Sequence, residues 1–404
     1  MRECLGTARS RGLIRLAFPP MKVLHVGKFY PPHAGGMETH LELLCRKLVR
    51  DGDSDVDVEV VVSADGRRTT VETRDGVRVT RIGTVATVAA ASFNPGLART
   101  IRRSGADLVH FHHPNPTAVL SYFASGRRGP LVVTYHSDIV RQRVLGTMVS
   151  PLIHAFLARA DAIIATSPQY LASSPVLRRH ADRCHVLPFG VEMGEMEDVD
   201  RSEVAGIRAR FGDRIVLAAG RLVYYKGFDY LVRAMRTVPG RLLIVGDGPL
   251  RGELERIAAE AGVADRVTLL GPVPDLRPWY HAADAFAFPS VARSEAYGIV
   301  QMEAMACGLP VVNTALDTGV PFVSPDGVTG ITVPPADVDA LAEALRRLLD
   351  DPALRQRMGR AGRARIAGEL SADRMAARTA ALYRAVLHAR RTASSVPRAT
   401  TSTA

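Results

Sequence analysis

The sequence predicts an α/β protein made of two doubly wound, Rossmann-like domains facing one another across a cleft. Three observations carry this. Short Val, Ile and Leu runs alternate with helix-length amphipathic stretches, the rhythm of parallel strands covered by helices on both faces. The rhythm occurs twice, on either side of an acidic segment without a strand pattern, GVEMGEMEDVDRSEVAG at 190–206. The length, 404 residues, also exceeds the size at which one hydrophobic core usually stops growing.

Residues 1–20 are read as an N-terminal extension. Their apolar stretch GLIRLAF is broken by Arg15 and too short for a signal-peptide core, and a second methionine, Met21, opens the first strand. The expected strands of the first domain, 21–195, are KVLHVG, DVEVVV, DLVHFHH, LVVTYHS, AIIATS and CHVLPFG. Those of the second, 196–370, are RIVLAAG, RLLIVGD, RVTLLG, DAFAFPS, PVVNT and TGITVPP. After about residue 336 the pattern is helical to roughly 391, and the Ser/Thr/Pro/Ala tail 392–404 is expected to be disordered.

The net charge of +11 suits a polyanionic partner such as nucleotide phosphate or an anionic membrane face. No RNP or zinc-finger pattern and no basic run interleaved with aromatics occurs, so nucleic acid is not an expected partner. The four cysteines are far apart and form no C-x-x-C, which argues against a disulfide framework and points to a reducing cytoplasm. Nowhere do 18 apolar residues run together.

The most specific stretch is SVARSEAYGIVQMEAMACGLPVV, 290–312. A strand ends at Ser290, a loop carries Glu295, and a helix begins near Tyr297 or Gly298 and ends at Gly308. Glu295 then precedes the helix, Ala296, Tyr297, Gly298, Ile299 and Val300 surround its positive end, and Glu303 lies about one turn in. A diphosphate fits the free amides, because a helix N-terminus binds anions through oriented N–H groups and the macrodipole. Hydroxyls on either side fit the two carboxylates, which is the outline of a nucleotide sugar. Two solvated surface glutamates are the simpler reading, but AMACGLP is too apolar for a surface helix.

In AAGRLVYYKGFDYL, 218–231, Arg221 and Lys226 project from the carboxyl end of a strand, where an anion is expected. Both can neutralise charge on a departing nucleoside diphosphate. Lys226 is one of only four lysines in an arginine-rich chain. His136 ends the strand of VVTYHSD. His110, His112 and His113 in VHFHHP have no metal-ligand partners that spacing alone can assemble, so no metal is expected. Gly246, in the turn VGDGP, and Val273, after the strand RVTLLG, complete the donor-binding candidates. Gly35 and Gly36, in PPHAGGMETH, open the first helix without side chains at its mouth.

With PPHAGGMETH, TYHSD, GRLVYYKG, VGDGP and SEAYGIVQMEAMACGLPVV in this order, the chain resembles the retaining enzymes of glycosyltransferase family 4, which have the GT-B architecture. The resemblance spans most of 21–390. It implies that Glu295 contacts the donor sugar, Glu303 binds ribose hydroxyls, Arg221 and Lys226 hold the diphosphate, and His136 lines the sugar pocket. It further implies no cofactor, no divalent metal for donor binding, and a last helix, 371–391, that crosses back onto the first domain. Tyr297 stands where phenylalanine is more usual. Thr318, Gly319 and Val320 are the counterparts of a glycine pair found in many members.

The expected reaction is transfer of a hexosyl or amino-sugar unit from a UDP- or GDP-linked donor to an acceptor hydroxyl, with the anomeric configuration kept. The acceptor is a lipid-linked saccharide in polysaccharide assembly or a small molecule such as an aminocyclitol antibiotic, with peripheral contact at the inner membrane face. A sugar-nucleotide epimerase of the same architecture and an inactive nucleotide-sugar-binding regulator are the rival readings.

Overall fold

The computed structural model describes residues 20–33, 35–50, 56–88, 91–138 and 143–395. Nearly all of the expected N-terminal extension and residues 396–404 of the expected tail lie outside that range.

The first sheet has eight strands, in the order Cys184–Val186, Ala162–Ala165, Leu131–Tyr135, Leu108–His113, Met21–Val26, Val56–Ser63, Val77–Ile82 and Thr70–Arg74. Its order reverses between Met21–Val26 and Leu108–His113, which are hydrogen-bonded neighbours. The crevice for a ligand therefore opens beyond Val26 and His113. All six residues of Leu108–His113 and all five of Leu131–Tyr135 are buried, as expected for strands covered on both faces.

Two departures from a purely parallel sheet lie between 70 and 93. Thr70–Arg74 pairs antiparallel with Val77–Ile82, and a separate hairpin joins Ala86–Val88 to Ala91–Phe93. Thr70–Arg74 is exposed throughout, so it has no apolar face for a pattern to reveal. Its turn did carry a signal: Asp75 and Gly76 both have positive φ, +50° and +81°, the conformation that Asp-Gly favours in two-residue hairpins.

The second sheet is six-stranded and parallel, in the order Val267–Gly271, Arg241–Val245, Ile215–Ala219, Ala285–Phe288, Val311–Thr314 and Gly330–Val333. Its switch point lies between Ile215–Ala219 and Ala285–Phe288. Those two strands run directly into the two motifs richest in charged candidates.

The acidic segment between the sheets forms two helices, Met193–Glu197 and Arg201–Phe211, the second capped by the Asp200 side chain on the Ser202 amide. The chain crosses between the sheets again near residue 371, where the Val191 amide donates to the Leu370 carbonyl and the Ala372 amide to Val191. The helix Ala372–Ser395 then packs on the first domain, against Gly36–Arg50. Lys47 pairs with Asp373 and Glu192, and Arg390 with Asp161 at 2.6 Å. This helix runs to Ser395, four residues into the stretch expected to be disordered.

Candidate active site

At the switch point of the second sheet, Lys226 Nζ lies 2.6 Å from Glu295 Oε2, and the Ser290 hydroxyl donates to the same oxygen at 3.2 Å. Glu295 is only 8% exposed. The two loops are tied by the Val291 amide donating to the Tyr225 carbonyl at 2.8 Å, and the Lys226 ammonium sits 4.8 Å from the centre of the Phe288 ring. Arg221, five residues before Lys226 on the same loop, is exposed.

The helix after Glu295 is Ile299–Ala306, entered through Gly298 at φ +85°. A β-carbon there would lie 2.6 Å from Phe288 Cζ, so both conformation and space require glycine. The amides of Tyr297 and Gly298 have no protein acceptor among the described residues, and those of Ile299 and Val300 open the helix without intrahelical partners. Four free donors thus follow Glu295 directly along the chain, at a positive helix end. Glu303 follows in the second turn. Tyr280 donates to its Oε2 at 2.8 Å, and burial pushes the carboxyl above its usual pKa.

Other predicted positions differ in what they offer. The Gly246 amide donates to the Gly271 carbonyl, and a β-carbon at Gly246 would stand 2.1 Å from the Gly220 oxygen, so its glycine is explained by two loops crossing. Val273 packs half-buried against the core. The amides of Thr318 and Gly319 donate to the Leu316 and Ala296 carbonyls, and the Val320 amide reaches the Thr318 hydroxyl at 3.4 Å. None of the three presents a free donor, and Gly319 braces the 296–297 loop from behind.

From the first domain, Gly36 opens the helix Gly36–Arg50 against the other wall: a β-carbon on it would touch Ile299 Cδ1 at 3.7 Å. Gly35 is exposed beside it. His136 follows Leu131–Tyr135, its amide donating to the His113 carbonyl. Phe189 links the two halves, with ring centres 5.3 Å from His136 and 5.0 Å from Tyr297.

Behind His136 the structure corrects the sequence reading of the histidines. His136 Nε2 lies 3.0 Å from His112 Nδ1, and His112 Nε2 lies 3.1 Å from His25 Nδ1. The Tyr383 hydroxyl, on the C-terminal helix, lies 3.4 Å from His25 Nε2 and 2.5 Å from His110 Nδ1, and His110 Nε2 lies 2.7 Å from the Thr134 hydroxyl. His110 and His112 therefore do have imidazole partners, supplied by Met21–Val26, by Gly36–Arg50 and by the end of Leu131–Tyr135. His113 points to the opposite face and stacks on Tyr135. Burial holds all of these imidazoles below their usual pKa, to about 3 for His25 and His113.

The sequence patterns of two families match the chain: glycosyl transferase 4-like domain over residues 35–190, and glycosyl transferases group 1 over residues 202–365. The chain is 32% identical to O-antigen chain mannosyltransferase C of Escherichia coli, over 92% of this chain and 100% of that protein. The chain belongs to glycosyltransferase family 4. This glycosyltransferase is also 34% identical to the D-rhamnosyltransferase WbpZ of Pseudomonas aeruginosa, over 85% of its own length and 91% of the relative's. Among solved structures, it superposes on sucrose-phosphate synthase from Thermosynechococcus elongatus with a TM-score of 0.77 and 26% identity, covering 91% of this chain and 100% of that one. The fold is GT-B and the enzyme is a hexosyltransferase.

Sequence reasoning missed several residues of the glycosyltransferase's site. Ser290 and Tyr280, which hold the two glutamates, lie in DAFAFPS and RPWYHA, where no local spacing marks them as partners of a carboxylate. Phe189 lies in the strand-like CHVLPFG and gives no sign of the ring contacts it makes in both domains. Arg293, within the motif itself, reaches Ser173 and Asp138 of the first domain at 3.2 and 3.5 Å.

Proposed function

We propose that the enzyme transfers a manno-configured hexosyl unit from a UDP- or GDP-linked donor to a hydroxyl of a growing lipid-linked glycan, with retention of configuration. The observation that carries this reading is the order of groups at one helix mouth along the chain: Glu295 paired with Lys226, the free amides of 297–300, then Glu303 held by Tyr280. Sugar, diphosphate and ribose match that order. The relatives support the sugar class, since one is named for mannosyl and the other for D-rhamnosyl transfer, and D-rhamnose is 6-deoxymannose.

In this reading the diphosphate lies on the helix amides between Arg221 and Lys226, whose charge replaces a divalent metal there. Glu295 accepts from sugar hydroxyls, His136 borders the sugar from the first domain, and Glu303 accepts from the ribose. Gly35 and Gly36 let the first helix approach the donor without side chains between. Attack comes from the face the leaving group departs. The bond from the anomeric carbon to the phosphate oxygen breaks as the bond to the acceptor oxygen forms, and the leaving phosphate oxygen takes the acceptor proton.

The test is a transfer assay with GDP-mannose, UDP-glucose and UDP-N-acetylglucosamine against a lipid-linked acceptor, followed by NMR of the product's anomeric centre. An α-linked mannosyl product is expected. An inverted product would refute retention, and a glycosyl adduct trapped on a side chain would refute same-face attack. Epimerisation of donor without acceptor would replace transfer altogether.

A further inference from the structure

His40 is buried to 5% exposure, and neither of its ring nitrogens has a hydrogen-bond partner among the described residues. Buried polar nitrogens are nearly always satisfied, so such a group calls for a missing partner. The neighbours of His40 narrow its chemistry. Its ring centre lies 5.3 Å from that of His136 and 5.8 Å from that of His112. One donor nitrogen from each of the three falls within 4.8 Å of the other two. We propose that His40, His112 and His136 form a three-histidine site for a divalent transition-metal ion of the zinc class, separate from the diphosphate position and clamping the first helix to the first sheet.

The donor set suits that class, since imidazole nitrogen favours zinc, copper and nickel over magnesium or calcium. Two nitrogens bound about 2.0–2.1 Å from a tetrahedral ion stand about 3.4 Å apart. His112 Nδ1 and His136 Nε2 are 3.0 Å apart already, so a few tenths of an ångström separates their present arrangement from ligation. Binding needs a lone pair on both facing atoms, and the proton now shared between them moves to the far nitrogen of its own ring. The residues behind accommodate this. With His112 protonated on Nε2, it donates to His25 Nδ1, His25 Nε2 donates to the Tyr383 hydroxyl, that hydroxyl donates to His110 Nδ1, and His110 Nε2 donates to Thr134. Each donor along this relay from His112 to Thr134 finds an acceptor, the kind of arrangement that fixes tautomer and ring orientation behind a metal-bound histidine.

His40 stands one turn into Gly36–Arg50, and His112 and His136 stand at the carboxyl ends of two neighbouring strands. An ion held by all three ties the helix that presents Gly36 to the sheet beneath it. The fourth position is left for water or a ligand entering from the cleft.

The test uses untagged, EDTA-treated and dialysed full-length protein titrated with Zn2+, by competition with a chromophoric chelator, and with Co2+, by visible absorption. One equivalent of Zn2+ is expected to bind and to raise the melting temperature, as any ligand selective for the folded state does. Co2+ should give the intense visible bands of a four-coordinate site. His40→Leu should remove the binding while folding normally, because it takes away two unsatisfied nitrogens and leaves no partner stranded. His25→Ala should weaken it about 10- to 100-fold by freeing the His112 ring behind the ion. A His154→Ala/His180→Ala variant, which removes a surface pair 3.1 Å apart, should bind as the parent does. The proposal is overturned if the parent takes up no Zn2+ at about 100 µM, far above the affinities of protein zinc sites. Unchanged binding in His40→Leu, or loss of binding only in the surface double variant, would overturn it equally.

Discussion

The two walls of the cleft are built on opposite principles. In the second domain the chemistry is contiguous: Arg221 and Lys226 share one loop, Glu295 to Glu303 share one loop and helix, and both follow strands at the sheet's switch point. In the first domain it is dispersed. His25, His40, His110, His112, His136 and Tyr383 come from a strand, a helix, a second strand, a loop and the C-terminal helix, and meet only because a parallel sheet sets their strands side by side. The second wall is made of charge and free amides suited to an anion; the first is made of buried imidazoles. Removing a charge or a donor from the second wall should therefore show in catalysis, and charging the buried imidazoles of the first should show in folding.

Acid gives the largest effect. The pKa of His25, His40, His110, His112, His113 and His136 is lower in the folded protein than the ordinary 6.5, about 3 for His25 and His113. The unfolded chain takes up protons near pH 6.5 while the folded one does not, so their contribution is intact above that pH and is lost as pH falls toward the folded values. Each should cost about 1 kcal/mol between about pH 7.5 and 5.5, several kcal/mol together. Urea denaturation in EDTA at the two pH values measures it, and equal midpoints would mean the cluster is not buried and neutral.

Next comes Lys226→Ala. Losing a preorganised cation at the leaving group should lower kcat by about 10²–10³-fold, or about 3 kcal/mol. The melting temperature should fall as well, because the substitution leaves the buried Glu295 carboxylate with only the Ser290 hydroxyl. Retained turnover would remove Lys226 from the mechanism.

Gly298→Ala should cost about 2 kcal/mol of stability through its φ of +85° and the Phe288 ring 2.6 Å from the new β-carbon, and should raise the donor KM as the amides shift. Normal donor affinity would show that those amides do not hold the diphosphate. The smallest effect belongs to Tyr280→Phe. It removes one hydrogen bond to Glu303, worth about 1 kcal/mol, and should appear as a roughly fivefold higher donor KM at nearly unchanged kcat. A fall in kcat alone would place Glu303 at the sugar instead of the ribose.

Much of this was legible from residue order. All twelve strands expected from apolar runs are present, and Glu295 lies in a loop ahead of a helix that Gly298 opens, as the spacing required. Thr70–Arg74 was not legible, because an exposed edge strand has no buried face to pattern. The free amides before Ile299 followed from the helix boundary, whereas the satisfied amides of Thr318 and Gly319 did not, because their acceptors, Leu316 and Ala296, are set by how two loops cross.

The sequence by itself determined the elements, their alternation and the donor loops of the second domain, because periodicity, caps and glycine turns act between residues a few positions apart. Only the tertiary structure decided which histidine meets which, that Tyr383 reaches His110 across 273 positions, and that Gly36 faces Ile299. Those contacts depend on strand order and on the angle between two domains, and no local spacing encodes either.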